Sequence, residues 1–169
     1  MSKFFHVWHY DGRDITFSWL GDVNIQESRI HAFAFSEQGK MLLVGGTKDG
    51  GYWLPGGGIE IGESPEIALR REMMEEAAAT VNAMKKLGIQ KTFDPLSGES
   101  YQSFYWCRIT LAENFIPEHE VTERLLVDPD QFLNTLFWGR KDPKAEMLFN
   151  MALDLNRLHG PSIPNVPPD

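Results

Sequence analysis

Hydrophobic and polar positions alternate along the first quarter of the chain, and the pattern lengthens to a helical one near its middle. Residues 4–10 and 15–20 read as two strands, separated by Asp11-Gly12, a dipeptide that suits the positive-φ turn of a hairpin. Residues 29–35 alternate again, Glu37-Gln38-Gly39 turns the chain, and residues 40–44 return as a strand. Residues 45–51 form a polar, glycine-rich loop. Then Ser64 is a good N-cap and Pro65 a good first helical residue, because proline has no N–H to leave unpaired. No breaker follows over residues 67–79, which predicts a helix of three to four turns. Leu69, Met73 and Ala77 make one apolar stripe, and Ile67, Met74 and Ala78 make a second, so this helix is expected to be buried on two sides. Residues 91–93 and 101–111 read as strands around the turn Asp94 to Gly98, and residues 124–127 as a short last strand. Pro129 begins a short helix and Pro143 a longer one to about His159, with Ala145, Leu148, Phe149 and Ala152 apolar. Residues 161–169 hold four prolines and are not expected to pack.

Composition narrows the class. The chain has 169 residues, 42% hydrophobic and 24% charged, which suits one α/β domain with a real core and no internal repeat. A net charge of −8 argues against a nucleic-acid polymer as partner, since phosphate backbone calls for a basic surface. It allows a phosphorylated small molecule if cations bridge the two negative partners. The lone Cys107 lies in an apolar run and reads as a buried strand residue, not a nucleophile. Neither a signal pattern nor an apolar run of 18 residues is present, so a cytoplasmic protein without a membrane partner is expected.

The most telling chemistry sits on the central helix. Glu72, Glu75 and Glu76 are spaced i, i+3 and i+4 and therefore share one arc of about 100°. Their mutual repulsion, near the negative end of the helix dipole, costs roughly 1–2 kcal/mol if nothing neutralises it. Arg71 is the only nearby compensation, and no lysine or arginine follows any of the three glutamates by four residues, as a solvated acidic face would favour. Clustered hard oxygens suit Mg2+, with Mn2+ as a substitute, and a divalent-metal site is the better reading.

The segment resembles the Nudix box, Gly-x5-Glu-x7-Arg-Glu-U-x-Glu-Glu-x-Gly-U with U aliphatic. Gly57, Glu63, Arg71, Glu72, Met73, Glu75 and Glu76 match it at every spacing, and Trp53 to Gly57 resembles the family's approach to it. Ala78 and Ala79 depart from the pattern. Without the glycine, either Ala78 takes a left-handed conformation at a cost on the order of 1 kcal/mol, or the helix runs on. The resemblance implies an α/β/α sandwich, a mixed sheet between the box helix and the C-terminal helix. It divides the chain into a hydrolase domain over residues 23–160, a tail at 161–169 and an extra β-hairpin at 1–22. That hairpin reads first as an added sheet edge, and alternatively as a dimerisation element, hence a homodimer, or a cover for substrate.

Further roles follow from the resemblance. Glu72, Glu75 and Glu76, with a carbonyl from Gly56 or Gly57, would hold Mg2+. Glu75 or Glu76 would act as general base, with Glu120 as a further catalytic glutamate before the last strand, though Glu118 and Glu123 leave its register open. Glu63 and Arg71 would be an ion pair that, with Gly57, supports the box. Gly56 and Gly58 would let substrate approach the backbone. Glu60 reads equally as a metal contact or a solvated side chain. Trp53 would face substrate; Phe35, Tyr105 and Trp106 are further aromatic candidates for stacking, though each reads more simply as core.

The implied reaction is hydrolysis of a diphosphate linkage in a nucleoside diphosphate derivative, first a nucleoside triphosphate, alternatively ADP-ribose or a nucleotide sugar. Two other classes stay open. An isomerase on the same fold needs a catalytic cysteine, and Cys107 has no supporting motif. A nucleotide sensor that does not cleave would be expected to lose box glutamates, and all three are present.

Overall fold

The computed structural model describes residues 5–45, 50–117 and 121–159. Among them, nine strands form one mixed sheet flanked by helices on both faces, the expected α/β/α sandwich. Strands β1 (Phe5–Tyr10) and β2 (Arg13–Gly21) form the predicted hairpin, turning at Asp11 and Gly12 with φ of 50° and 72°. The hairpin is not detached. Thr16 to Gly21 pair with Phe93 to Ile89 of β7 (Ala79–Asp94), and the Arg13 guanidinium donates to both Asp94 carboxylate oxygens at 2.9 and 3.3 Å.

The sheet runs β1-β2-β7-β8-β3-β4-β5, where β8 is Gly98–Leu111, β3 Arg29–Phe35, β4 Met41–Gly45 and β5 Tyr52–Trp53. Strand β3 lies parallel to β8 along its length, and every other pairing between these named strands is antiparallel. On its other side β3 forks. Phe35 pairs with Met41 of β4, while Arg29, Ile30 and His31 pair with β6 (Gly56–Gly58), the glycine segment. Strand β9 (Glu123–Val127) pairs with β4.

Period-two alternation divides the core between the two faces. Ile30, Ala32 and Ala34 face helix α1 (Pro65–Ala77) with Leu69 and Met73. Phe33, Phe35, Phe104 and Trp106 pack on the other face with Phe132 of α2 (Pro129–Thr135) and Leu148 of α3 (Pro143–His159). Cys107 is fully buried, and burial pushes its thiol pKa up, as a structural cysteine should be. No helix among the described residues is long and apolar enough to cross a membrane.

Two expectations need correction. Helix α1 ends at Ala77, two residues early, because Ala78 adopts the left-handed conformation (φ 48°, ψ 45°) and its N–H closes on Met73 and Met74 carbonyls. Nor is α1 buried on two sides: Ile67 and Met74 are exposed, and only the Ala68, Leu69, Met73 and Ala77 side packs on the sheet. The expected tail at 161–169 lies outside the described residues.

Candidate active site

The site is assembled where the β3 fork brings the glycine segment over α1. Ser64 caps α1 as predicted, its hydroxyl accepting the Ile67 N–H at 3.2 Å. Gly57 is buried beneath the helix, and a Cβ there would lie 2.6 Å from the Glu72 carboxyl carbon. Gly56 has φ of 143°, and its Cβ would come 2.8 Å from the His31 Cα. No L-residue with a side chain fits either position without displacing backbone or a carboxylate.

Arg71 organises the loop. Its guanidinium donates to Glu63 at 2.7 and 2.9 Å, to the Gly58 carbonyl at 2.9 Å, to Glu72 at 2.9 Å and to Glu75 at 3.3 Å. The hydrogen-bonded guanidinium lowers the Glu63 pKa to about 2, helped by a backbone hydrogen bond in the Glu60–Glu63 turn. Glu60 itself points its exposed side chain outward while its N–H donates to Glu63 at 2.9 Å. Arg71 thus spans the supporting Glu63 and two members of the acidic face, a wider reach than the single ion pair expected from the sequence.

Glu76 stands apart from that network. Its Oε2 accepts the Gly56 N–H at 2.8 Å, tying the helix to the glycine turn. Burial pushes its pKa up to about 7; the Gly56 bond opposes this, while repulsion from Glu72 and Glu75 adds to it. Among the described residues no three ligand-type side chains stand together at metal-binding spacing, since Glu72 and Glu75 lean on Arg71 and Glu76 on backbone. The chemistry of the donor set nonetheless fits a hard divalent cation. Three carboxylates share one face, and repulsion from Glu72 and Glu75 adds to the burial that raises the Glu76 pKa.

The other sequence candidates fall in different places. Trp53 is half-buried and stacks on Phe137 at 4.6 Å, bordering a cavity that also reaches His31 and Phe104. Phe35, Tyr105 and Trp106 are core, so none offers an open stacking face. Tyr105 instead donates its hydroxyl to Glu66 at 3.0 Å beneath α1. Glu118, His119 and Glu120 lie outside the described residues.

Sequence reasoning passed over Arg29, His31 and Lys144, which border the same cavity as Trp53. A signal was present: Arg29 and His31 alternate with Phe33 on the strand face that α3 covers, and Lys144 sits on the buried side of an amphipathic helix. Polar residues on such faces are seldom without purpose. Desolvation, then the neighbouring charges of Arg29 and Lys144, lower the His31 pKa to about 4, so its imidazole is neutral at pH 7.

A family model described as the NUDIX domain matches residues 26–148. Nudix hydrolase 18, mitochondrial, of Arabidopsis thaliana is 28% identical over 107 residues, covering 63% of this chain and 54% of the relative. The chain therefore spans about half the length of that curated relative. Among solved structures, the Bacillus subtilis pyrophosphohydrolase BsRppH superposes with a TM-score of 0.70 at 22% identity, over 92% of this chain and 98% of that one. An ADP-ribose pyrophosphatase from Streptococcus suis does so with a TM-score of 0.54 at 26% identity, over 76% and 90%. The family model covers most of the chain and includes the glycine turn, Arg71 and all three glutamates of the acidic face: the protein belongs to the NUDIX domain family.

Proposed function

We propose that this chain hydrolyses the diphosphate linkage of a nucleoside diphosphate derivative with Mg2+, and that its first substrate class is the nucleoside triphosphates. The observation that carries the reading is the fit between the glycine turn and the acidic helix: Gly57 exists to admit Glu72, and the Gly56 N–H is bonded to Glu76. A structural helix face would not need a side-chain-free strand laid over it.

Glu72, Glu75 and Glu76, with the Gly57 carbonyl, would hold the cation, which would offset phosphate charge and supply a more nucleophilic water. Glu63 and Arg71 hold the loop on α1 and leave the reacting atoms to others. The open backbone of Gly56 and Gly58 lets a phosphate chain pass close to the sheet edge. Glu75, Glu76 and Glu120 are the carboxylates assigned to proton transfer from the attacking water, and Trp53 borders the substrate.

A second reading, ADP-ribose or a nucleotide sugar, draws support from the likeness to the Streptococcus suis ADP-ribose pyrophosphatase. Phosphate or pyrophosphate release from a panel of (d)NTPs, ADP-ribose, nucleotide sugars and dinucleoside polyphosphates, with Mg2+ or Mn2+, decides between them. In that assay Glu75→Gln or Glu76→Gln is expected to lower turnover at least ~100-fold while leaving the thermal midpoint close to wild type. Wild-type turnover in both variants would remove the acidic face from the reaction. Metal-dependent nucleotide binding without turnover on any substrate would instead favour a nucleotide sensor.

A further inference from the structure

The β3 fork gives the glycine turn two faces. Residues paired across adjacent strands point to the same side of a sheet, and successive residues to opposite sides. Gly57, opposite Ile30, therefore faces α1 and Glu72, whereas Gly58, opposite Arg29, faces the α3 side. A Cβ at Gly58 would meet nothing within 4 Å, so open space lies beside the Arg29 side chain. On that same side Arg29, itself exposed, borders the cavity that Trp53 also lines. The cavity holds about 290 Å³, room for one nucleoside-sized group. Trp8 and Phe17 of the N-terminal hairpin close it, their rings edge-to-face at 5.4 Å, and Phe104 and Trp138 line it from within the family domain.

Arg29 differs from the other arginines. Seven of the eight in the chain donate to a carboxylate, amide or carbonyl oxygen of the protein. Arg29 donates to none of the described residues. The second cation in the cavity lining, Lys144, is already taken by Asp142. Arg29 thus keeps its guanidinium unspent in a chain of net charge −8, where carboxylates are plentiful. Its charge acts in both directions, favouring the ionised form of Glu76 on one side and the neutral form of His31 on the other. A guanidinium presents five N–H donors in a planar fork that matches the non-bridging oxygens of a phosphate.

Building on the nucleotide reading above, we infer that Arg29 binds the phosphate next to the nucleoside and so fixes which way round the substrate lies. The nucleoside occupies the cavity, its ring against aromatic walls that the hairpin completes. The phosphate chain crosses the edge of Gly56–Gly58, past Arg29, and reaches the acidic face of α1 beyond it. Arg29 is a binding residue in this arrangement and takes no part in proton transfer.

Equilibrium dialysis of the full chain without metal, comparing AMP with adenosine and GMP with guanosine, reads the phosphate contact independently of turnover. Each monophosphate is expected to bind about tenfold more tightly than its nucleoside. Arg29→Gln should bring that ratio to within about twofold by weakening the monophosphate alone, with nucleoside affinity in place. Arg29→Lys keeps the charge without the fork, should lower the ratio about threefold, and serves if Arg29→Gln does not fold. Phe17→Ala should weaken nucleoside and monophosphate by the same factor, because it acts on the half they share. Equal binding of nucleoside and monophosphate, no binding of either at millimolar concentration, or a ratio untouched in both Arg29 variants would overturn the inference. The two readings fail separately. An Arg29-dependent ratio in a chain that turns over no nucleotide removes the hydrolase and leaves the site, whereas an active chain without the ratio removes only the role of Arg29.

Discussion

Glycine at position 57 is a statement about Glu72. The carboxylate occupies the volume that any side chain at 57 would need, so Gly57→Ala must push it away from the turn. Turnover is expected to fall at least ~10-fold in that variant, with the thermal midpoint little changed, because the displaced group lies at the edge of the core. His31 shows the opposite kind of constraint, an ionisable group held in its neutral form. Its folded pKa of about 4 lies below the ordinary 6.5, so between these values the unfolded chain binds more protons than the folded one. The His31 contribution to stability should therefore fall as pH drops from about 6.5 to about 4, by at most about 3 kcal/mol, while Glu76, with its pKa raised to about 7, contributes in the opposite sense over the same range and Glu63 loses its own contribution at lower pH. The comparison of variant with wild type isolates His31: between pH 7 and pH 4.5 the urea midpoint of His31→Asn should lose less, or gain more, than that of wild type. The three box glutamates and Arg71 were legible from spacing alone, since they lie on one helix. His31 and Lys144 were not, because what gives them meaning is a partner from a distant strand or helix.

At the scale of elements, α1 carries a defect that its neighbours contain. Ala78 holds a left-handed backbone where the family pattern has glycine. The Arg124 guanidinium of β9 donates to the Ala77 carbonyl at 2.6 Å and to the Ala112 carbonyl at 2.5 Å, supplying the cation that the last turn of α1 lacks. Ala78→Gly should thus stabilise the protein by about 1 kcal/mol, read as a rise in the urea midpoint without a change in slope. A loss of stability would mean that the neighbouring contacts depend on the alanine methyl. The consecutive alanines, being strong helix formers, left this boundary open between a left-handed exit at Ala78 and a helix that runs on; the first is what occurs. Most of β7 was also hidden. Its pairing with β8 shifts register between Val81 and Ala83 and again between Lys86 and Gly88, and each shift resets the in–out alternation on which strand recognition depends. Only the last stretch, near Phe93, read clearly as strand. The short β5 and β6 carry no periodicity to read; β6 exists because β3 forks beside it, and β5 because it pairs with the end of β4.

For the whole molecule, the α/β organisation followed from alternation and helix position and the layered arrangement from the resemblance to the Nudix box, and the two hydrophobic clusters on either side of the sheet agree with it. The N-terminal hairpin was read first as an added sheet edge, and it is one. What could not be read was its partner, because pairing with β7 depends on residues about seventy positions away. That attachment has a further consequence. Every open sheet presents a last strand with unpaired backbone groups, which invites further strands from other chains. Here one border is the six-residue β1, beside a tight Asp-Gly turn. Without the hairpin it would fall on the sixteen-residue β7, baring the amides and carbonyls along Ile89 to Phe93. The hairpin therefore also acts as a guard against aggregation, so shortening the N-terminus to simplify the protein would trade away solubility.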